Sequence, residues 1–377
     1  MEALLSLYYF GSSLVTGGGG VSKQDGWLCI IIGTGLAILL VWVYSAVLEL
    51  YPGRNFFDNI IRACGKIPGR ILVLLLCLYM ILFSGQVLRN EAEFIHIINL
   101  KMTPILVILG ALIGSAIFIL SHRIYSLARV SKALVPFVFA FLFLTVILSV
   151  KDWNVSNLKP FLGSGFSSIA GGSLLVLSLP FGESVMCSPL FGQLDPKAKS
   201  YPVFVKGILL GSCIMLAASL RNILVLGYSD GVYTFPSYSA ISVIAVGEFF
   251  TRFEVLININ LLLAGLFKIA VVIYALASGF SKVFGLKDYE PLVASCALIM
   301  YVNSLYWVSN TAEITQVVHA IPMLSYPFQI VIPLIALIVG KVRNRLTPKE
   351  PGSGPPKKEK PRPFQLRTKP NAEPPPA

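Results

Sequence analysis

Charge is what this chain has least of. Asp, Glu, Lys and Arg make up 13% of its residues, against 55% hydrophobic ones, where a soluble domain carries roughly 25% charged residues. Too little of the chain can face water, which excludes an ordinary soluble fold and leaves an all-α integral membrane protein, because helices satisfy their own backbone groups inside lipid. Metal-binding side chains are equally sparse. Three histidines, His96, His122 and His319, lie too far apart for a local metal motif, and six cysteines are scattered without ligand spacing or pairing. Glu93 and His96 make a single Glu-x-x-His where a di-iron bundle needs two and further glutamates; they read as an outer-loop pair. No phosphate loop, Gly-x-Ser-x-Gly elbow or zinc signature occurs. An enzyme, a cofactor and a metal centre are therefore not expected.

What is present is a series of long apolar runs. A crossing takes about 20 apolar residues, and the candidates are Leu4 to Gly19, Trp27 to Leu50, Ile71 to Leu88, Thr103 to Ser121, Ala133 to Val150, Phe166 to Leu194, Tyr201 to Gly227, Phe253 to Phe280, Pro291 to Trp307 and Pro322 to Gly340. The first reads as a transmembrane helix and not a secretory leader, since Glu2 replaces a basic start and no small-residue cleavage site precedes Gly17. With the N-terminus inside, Arg54, Arg62, Lys66, Arg70, Arg123, Arg129, Lys132, Lys197, Lys199, Lys282 and Lys287 fall on inner connections. Fewer, mainly Lys23, Arg89, Lys101, Lys151 and Lys159, fall outside. Both termini are then cytoplasmic. The net charge of +12 is largely topological and does not argue for nucleic acid. Residues 1–345 read as a polytopic domain. The stretch 346–377, with Pro355-Pro356 and Lys357-Lys358-Glu359-Lys360, reads as a disordered, basic, proline-rich tail.

One run is interrupted. Ser178-Leu179-Pro180-Phe181-Gly182-Glu183 places a proline, a glycine and a carboxylate in the middle of the sixth segment. Pro180 cannot donate to the helix ladder and Gly182 favours non-helical backbone. Unpaired backbone groups at that depth must face protein or a polar cavity, so Ser178, Pro180, Phe181, Gly182 and Glu183 are read as a binding site. If residues 1–150 and 166–340 each supply five helices, the odd count makes the halves an inverted repeat, and the first segment should carry a matching break. Phe10-Gly11-Ser12-Ser13-Leu14-Val15-Thr16-Gly17 supplies it. A lone glycine usually just lets helices approach, but paired interruptions point to a transporter-type site near the midplane. Gly11, Ser12, Ser13 and Thr16 join the candidate ligand contacts, with Gln86 from the polar patch Ser84-Gly85-Gln86.

Intramembrane charges are functional candidates by default. Glu183 either meets a ligand ammonium, acts as a proton-linked switch, or caps the break's own amides. Lys268 lies midway along the eighth segment and either takes a cation's place or forms an internal salt bridge, for which Glu183 is a partner. Arg252 and Glu254 stand at the mouth of that segment as a gate or a surface pair with Glu248. Asn258 and Asn260 point to different faces, so at most one lines a cavity while the other bonds between helices. Lys206 and Arg221 are read as reaching opposite interfaces, with no chemistry assigned.

Asp25-Gly26-Trp27, the Tyr51-Pro52-Gly53 turn with the amphipathic stretch ending Gly65-Lys66, Pro180-Phe181-Gly182-Glu183, Arg252-Phe253-Glu254 and the run from Lys268 to Tyr274 together resemble the B subunits of spore germinant receptors, the endospore germination permeases. That family is similar to the amino acid, polyamine and organocation transporters. The resemblance implies ten helices in an inverted repeat with helices one and six broken, and a ligand held between helices one, three, six and eight. It also implies a nutrient sensor, in which a small germinant, typically an amino acid, binds beside A and C subunits in the inner spore or cell membrane. In sodium-coupled relatives the eighth helix helps hold a sodium against the first break, so the resemblance implies that Lys268 replaces that ion. The alternative function is an amino acid or organic cation permease completing alternating access.

Overall fold

The computed structural model describes residues 1–16, 22–122, 124–193, 198–227, 233, 235–242, 254–307 and 321–346. Arg252, His319 and the tail lie outside the described residues, as do the side chains of Ser12, Ser13, Thr16 and Glu254.

Among the described residues every regular element is helical. The principal helices are α1 (Glu2–Thr16), α2 (Gly26–Leu50), α3 (Phe56–Cys64), α4 (Lys66–Ile98), α5 (Ile105–Ser121), α6 (Ile124–Ser149), α7 (Phe166–Val176), α8 (Ser184–Cys187), α9 (Ser200–Leu226), α10 (Pro236–Ser242), α11 (Glu254–Phe284), α12 (Val293–Tyr306) and α13 (Ile321–Leu346). Every apolar run of the sequence becomes one of these, with α7 and α8 sharing the sixth, and 7 spans are long and apolar enough to cross a membrane. The remaining runs, α1, α5 and α12, show 15, 17 and 14 helical residues. At about 1.5 Å per residue α5 covers ~25 Å, just short of the ~30 Å hydrocarbon core. Helices α1 and α12 run up to residues outside the described set.

The amphipathic stretch after the Tyr51-Pro52-Gly53 turn is α3. Gly53 takes φ 77°, Asn55 accepts the Phe57 amide to cap the helix, and Gly65 at φ 99° ends it. Its Phe56, Phe57 and Ile60 are buried, and it packs on α4 and α13.

Two expectations need correction here. Helix α4 has 33 residues and carries Arg89, Glu91, Glu93 and His96, which the sequence placed in an outer loop. The Arg89–Glu93 ion pair at 2.7 Å is an i, i+4 contact that lets a charged stretch continue the helix. The second concerns the first break, because α1 runs continuously through Gly11 to Thr16. A Cβ on Gly11 would stand 2.8 Å from the Ala264 carbonyl oxygen of α11, so this glycine serves close helix approach.

Helices that correspond in the two halves pack on each other: α2 on α9, α4 on α11, α5 on α12, and α1 on the break after α7. The interior belongs to α1 and α11. Leu4 through Phe10 and Ile269 through Ala277 are buried, as befits helices apolar all round and enclosed by others. Leu39, Phe118, Leu298 and Ile338 stand outward on the enclosing helices.

Candidate functional site

Helix α7 stops where the sequence breaks it. Ser178 lies in a widened turn over Leu177–Gly182, Leu179 within it is extended at φ −126° and ψ 113°, and α8 restarts after Glu183. The backbone groups released there are met by side chains from distant helices. Gln329 of α13 donates to the Ser178 carbonyl at 3.1 Å and to the Tyr79 hydroxyl at 2.8 Å. The Tyr44 hydroxyl donates to the Gln329 carbonyl at 2.7 Å and the Gly182 carbonyl at 3.3 Å. Gly182 is required for this arrangement, since a Cβ would occupy the Gln329 amide. Gln329 lies in a widened turn opened at Pro327, so one irregular helix supports the other.

Glu183 stands at the N-terminus of α8 but makes no side-chain cap. Its Oε2 meets Lys268 Nζ at 2.6 Å, with both side chains at most 1% exposed. Of the sequence readings, the internal salt bridge is the one observed. The Lys268 ammonium also faces the rings of Tyr8 and Phe83, 5.3 and 5.2 Å from their centroids, a further stabilisation for a cation. Glu183 belongs to the broken helix, Lys268 to α11, Tyr8 to α1 and Phe83 to α4. The pair therefore sits where helices one, three, six and eight meet. Tyr9 closes the same corner, its hydroxyl 2.6 Å from Ser184 Oγ and its ring edge-on to Phe181 at 5.5 Å.

A buried ion pair is weak support for a fold, because apolar replacements of similar volume are often as stable. Its placement at a helix break argues for use. Glu183 Oε1, Ser178 Oγ and Gln86 Oε1 are buried and find no hydrogen-bond partner among the described residues. Gln86 follows Phe83 by one turn and shares its face. The site thus gathers a paired cation and carboxylate and further buried acceptors within an aromatic wall.

The structure brings together Ser178, Pro180, Phe181, Gly182, Glu183 and Lys268, buries Gln86 on α4 one turn beyond Phe83, and has Gly11 on α11 one turn before Lys268. It separates Asn258, ten residues or about 15 Å along α11 from Lys268, where its amide donates to Asn99 Oδ1 at 2.9 Å. Glu254 begins α11 farther still from the pair. Arg221, read as reaching an interface, is instead buried and donates to Thr145 Oγ1 at 3.0 Å and Asn222 Oδ1 at 2.7 Å, tying α9 to α6. Lys206 does stand exposed, against Glu2 at 3.3 Å.

Sequence reasoning missed Gln329 and Glu91. A lone amide in an apolar run was the available signal for the first. The second was hidden by reading its surroundings as a loop. It also gave Asp25 no role, whereas its carboxylate accepts the Leu162 and Ser164 amides at 2.9 Å each and anchors the approach to α7.

A cleft of about 320 Å³ opens at the end of the bundle bearing Arg54, Lys282 and Lys287. Asn55, Asp58, Gly192 and Ser278 line it. Tyr274 and Tyr289, in edge contact at 4.8 Å, also form its wall.

The helices define an all-α integral membrane protein with a transporter-like fold. Mhp1, a nucleobase-cation-symport-1 family transporter solved in a closed conformation with bromovinylhydantoin bound, matches with a TM-score of 0.62 at 13% identity, over 89% of this chain and 76% of that one. At that identity the likeness shows the fold. The family model for spore germination proteins, Spore_permease, matches residues 1–312, and the chain belongs to that family. Among its relatives, spore germination protein KB of Bacillus subtilis (strain 168) is 24% identical over 93% of this chain and 95% of its own length. Spore germination protein A2 of the same organism is 25% identical over 87% and 89%. Permease-type relatives and a transporter neighbour are in keeping with a chain that is not an enzyme.

Proposed function

We propose that this chain is the ligand-binding subunit of a spore germinant receptor, taking a small nutrient with an ammonium group, probe class amino acid, at the break. The observation that carries this reading is the buried Glu183–Lys268 pair at the broken helix of a germination-family chain. A ligand ammonium competes with Lys268 for Glu183, while a ligand carboxylate is drawn to the ammonium so released. Binding shifts the protein between two arrangements only through different affinity for each. Those arrangements are read out by A and C subunits alongside it. The chain lies in the bilayer, in the inner spore or cell membrane, with both termini cytoplasmic. Its transmembrane domain is residues 1–345, as repeats of about 1–150 and 166–340, followed by a basic tail at 346–377.

The second reading is a permease. The basic-end cleft supports it, because Ser278 lies about 15 Å along α11 from Lys268, so the cleft marks a route out of the site once the Tyr274–Tyr289 contact parts. Purified protein in liposomes separates the two. A labelled amino-acid panel should give saturable equilibrium binding without counterflow exchange if the chain is a sensor. Robust exchange would make it a carrier.

A further inference from the structure

The ion pair at the break leaves one charge unaccounted for. Glu91 of α4 is 3% exposed, and its Oε2 has no hydrogen-bond partner among the described residues. Its carboxyl lies flat on α11 at Gly265, in the space a Cβ there would fill. Gly11 of α1 approaches the same turn from another side. Gly265 precedes Lys268 by three residues, so the two positions are neighbours on one helix face. The Lys268 ammonium now lies at Glu183 and the rings of Tyr8 and Phe83, and a stem turned toward the helix N-terminus would carry it back to the Glu91 carboxyl at Gly265. Two carboxylates thus stand within the swing of one lysine side chain, and Glu183 holds its ammonium.

Among the described residues, the other charged and titratable groups around Glu91 offer it no second cation. On its own helix Arg89 is engaged by Glu93 at 2.7 Å, and His96 bonds to the Thr103 carbonyl. Helix α1 presents Tyr8, whose hydroxyl donates to Met186. Helix α5 carries no ionisable residue. Helix α12 brings Cys296, Tyr301 and Tyr306, and α3 brings Asp58, Arg62 and Cys64 at the basic end. A buried carboxyl without a counter-ion is most stable with a proton on it.

We infer that Glu91 holds a proton in the resting protein and is the second seat for Lys268, which moves there, expelling that proton, when an ammonium-bearing ligand takes the Glu183 seat. Before binding, the ligand ammonium is outside, Lys268 and Glu183 are paired, and Glu91 is the neutral acid. Afterwards Glu183 pairs with the ligand, Lys268 pairs with ionised Glu91, and one proton has gone to water. Charge balances on both sides, and no empty space beside Glu91 is needed. This rests on the reading of the break as a site for an ammonium-bearing ligand.

Infrared difference spectroscopy on the reconstituted full chain reads the carboxyl itself. At neutral pH the ligand-free protein should show a protonated-carboxyl band that is absent from Glu91→Gln, shifted in Glu91→Asp and lost in Glu183→Gln, where Glu91 is the carboxylate left for Lys268. Adding the amino-acid panel should bleach that band with whichever member binds and release about one proton per ligand. Affinity should then rise by up to about tenfold per pH unit, a dependence lost in Glu91→Gln. Absence of the resting band overturns the proposal before any ligand is added, and a band that survives saturating ligand overturns the exchange. If no panel member binds, the amino-acid reading of the break fails, while the resting band still decides the state of Glu91.

Discussion

The first and sixth membrane segments occupy equivalent places in the two halves, and the same kind of sequence irregularity has opposite outcomes in them. At Gly11 the helix continues, and the missing side chain lets α1 rest on the backbone of α11. At Pro180 the helix stops, and Gln329 and Tyr44 bond the carbonyls of Ser178 and Gly182. A glycine only permits an interruption, whereas a proline removes a donor and clashes with the preceding turn. The break also needs outside partners. An interruption in lipid persists only where other elements satisfy it, and those partners lie more than a hundred residues away.

This contrast can be tested by substitution. The largest effect should come from Lys268→Met, which leaves Glu183 buried without its counter-ion and should cost about 3–5 kcal/mol. Thermal stability in detergent would report it, and adding Glu183→Met should restore most of the loss. Next comes Gly182→Ala, where the new methyl meets the Gln329 amide; the expected cost is about 1–3 kcal/mol. Adding Gln329→Ala should relieve the collision while exposing the freed carbonyl, so the double variant separates packing from hydrogen bonding. Gly11→Ala should cost a similar ~1–3 kcal/mol. Since its neighbour is backbone, no single side-chain truncation should rescue it. Gly35, whose built Cβ meets nothing within 4 Å, is the control: Gly35→Ala should be neutral or stabilising by up to about 1 kcal/mol. Smallest is Lys206→Ala at the exposed contact with Glu2, where about 0.5 kcal/mol or less is expected.

The membrane helices were legible because hydropathy is a property of contiguous residues. Pro180 with Gly182 and Glu183 was legible because a breaker and a charge stand out against an apolar run, and Lys268 stood out in the same way. What the sequence could not supply is which distant residue answers which. Arg89 and Glu93 looked like a loop because their charges were counted singly, while as an i, i+4 pair they extend α4 and carry Glu91 inward. Arg221 looked like an interfacial residue because its partners Thr145 and Ser237 lie in other segments. Gln329 was passed over because one amide in an apolar stretch has no local consequence. Its consequence lies across the bundle, at Gly182.

The charge pair at the break is the proposed seat of the ligand. Equilibrium binding of a labelled amino-acid panel to proteoliposomes should be compared between the native chain and the neutral double variant Glu183→Gln with Lys268→Gln, which keeps the side-chain volumes and leaves no unpaired charge. Saturable binding is expected for the native chain, with its loss in a double variant that still inserts and stays monodisperse. Unchanged affinity in that variant would place the ligand elsewhere and contradict the account.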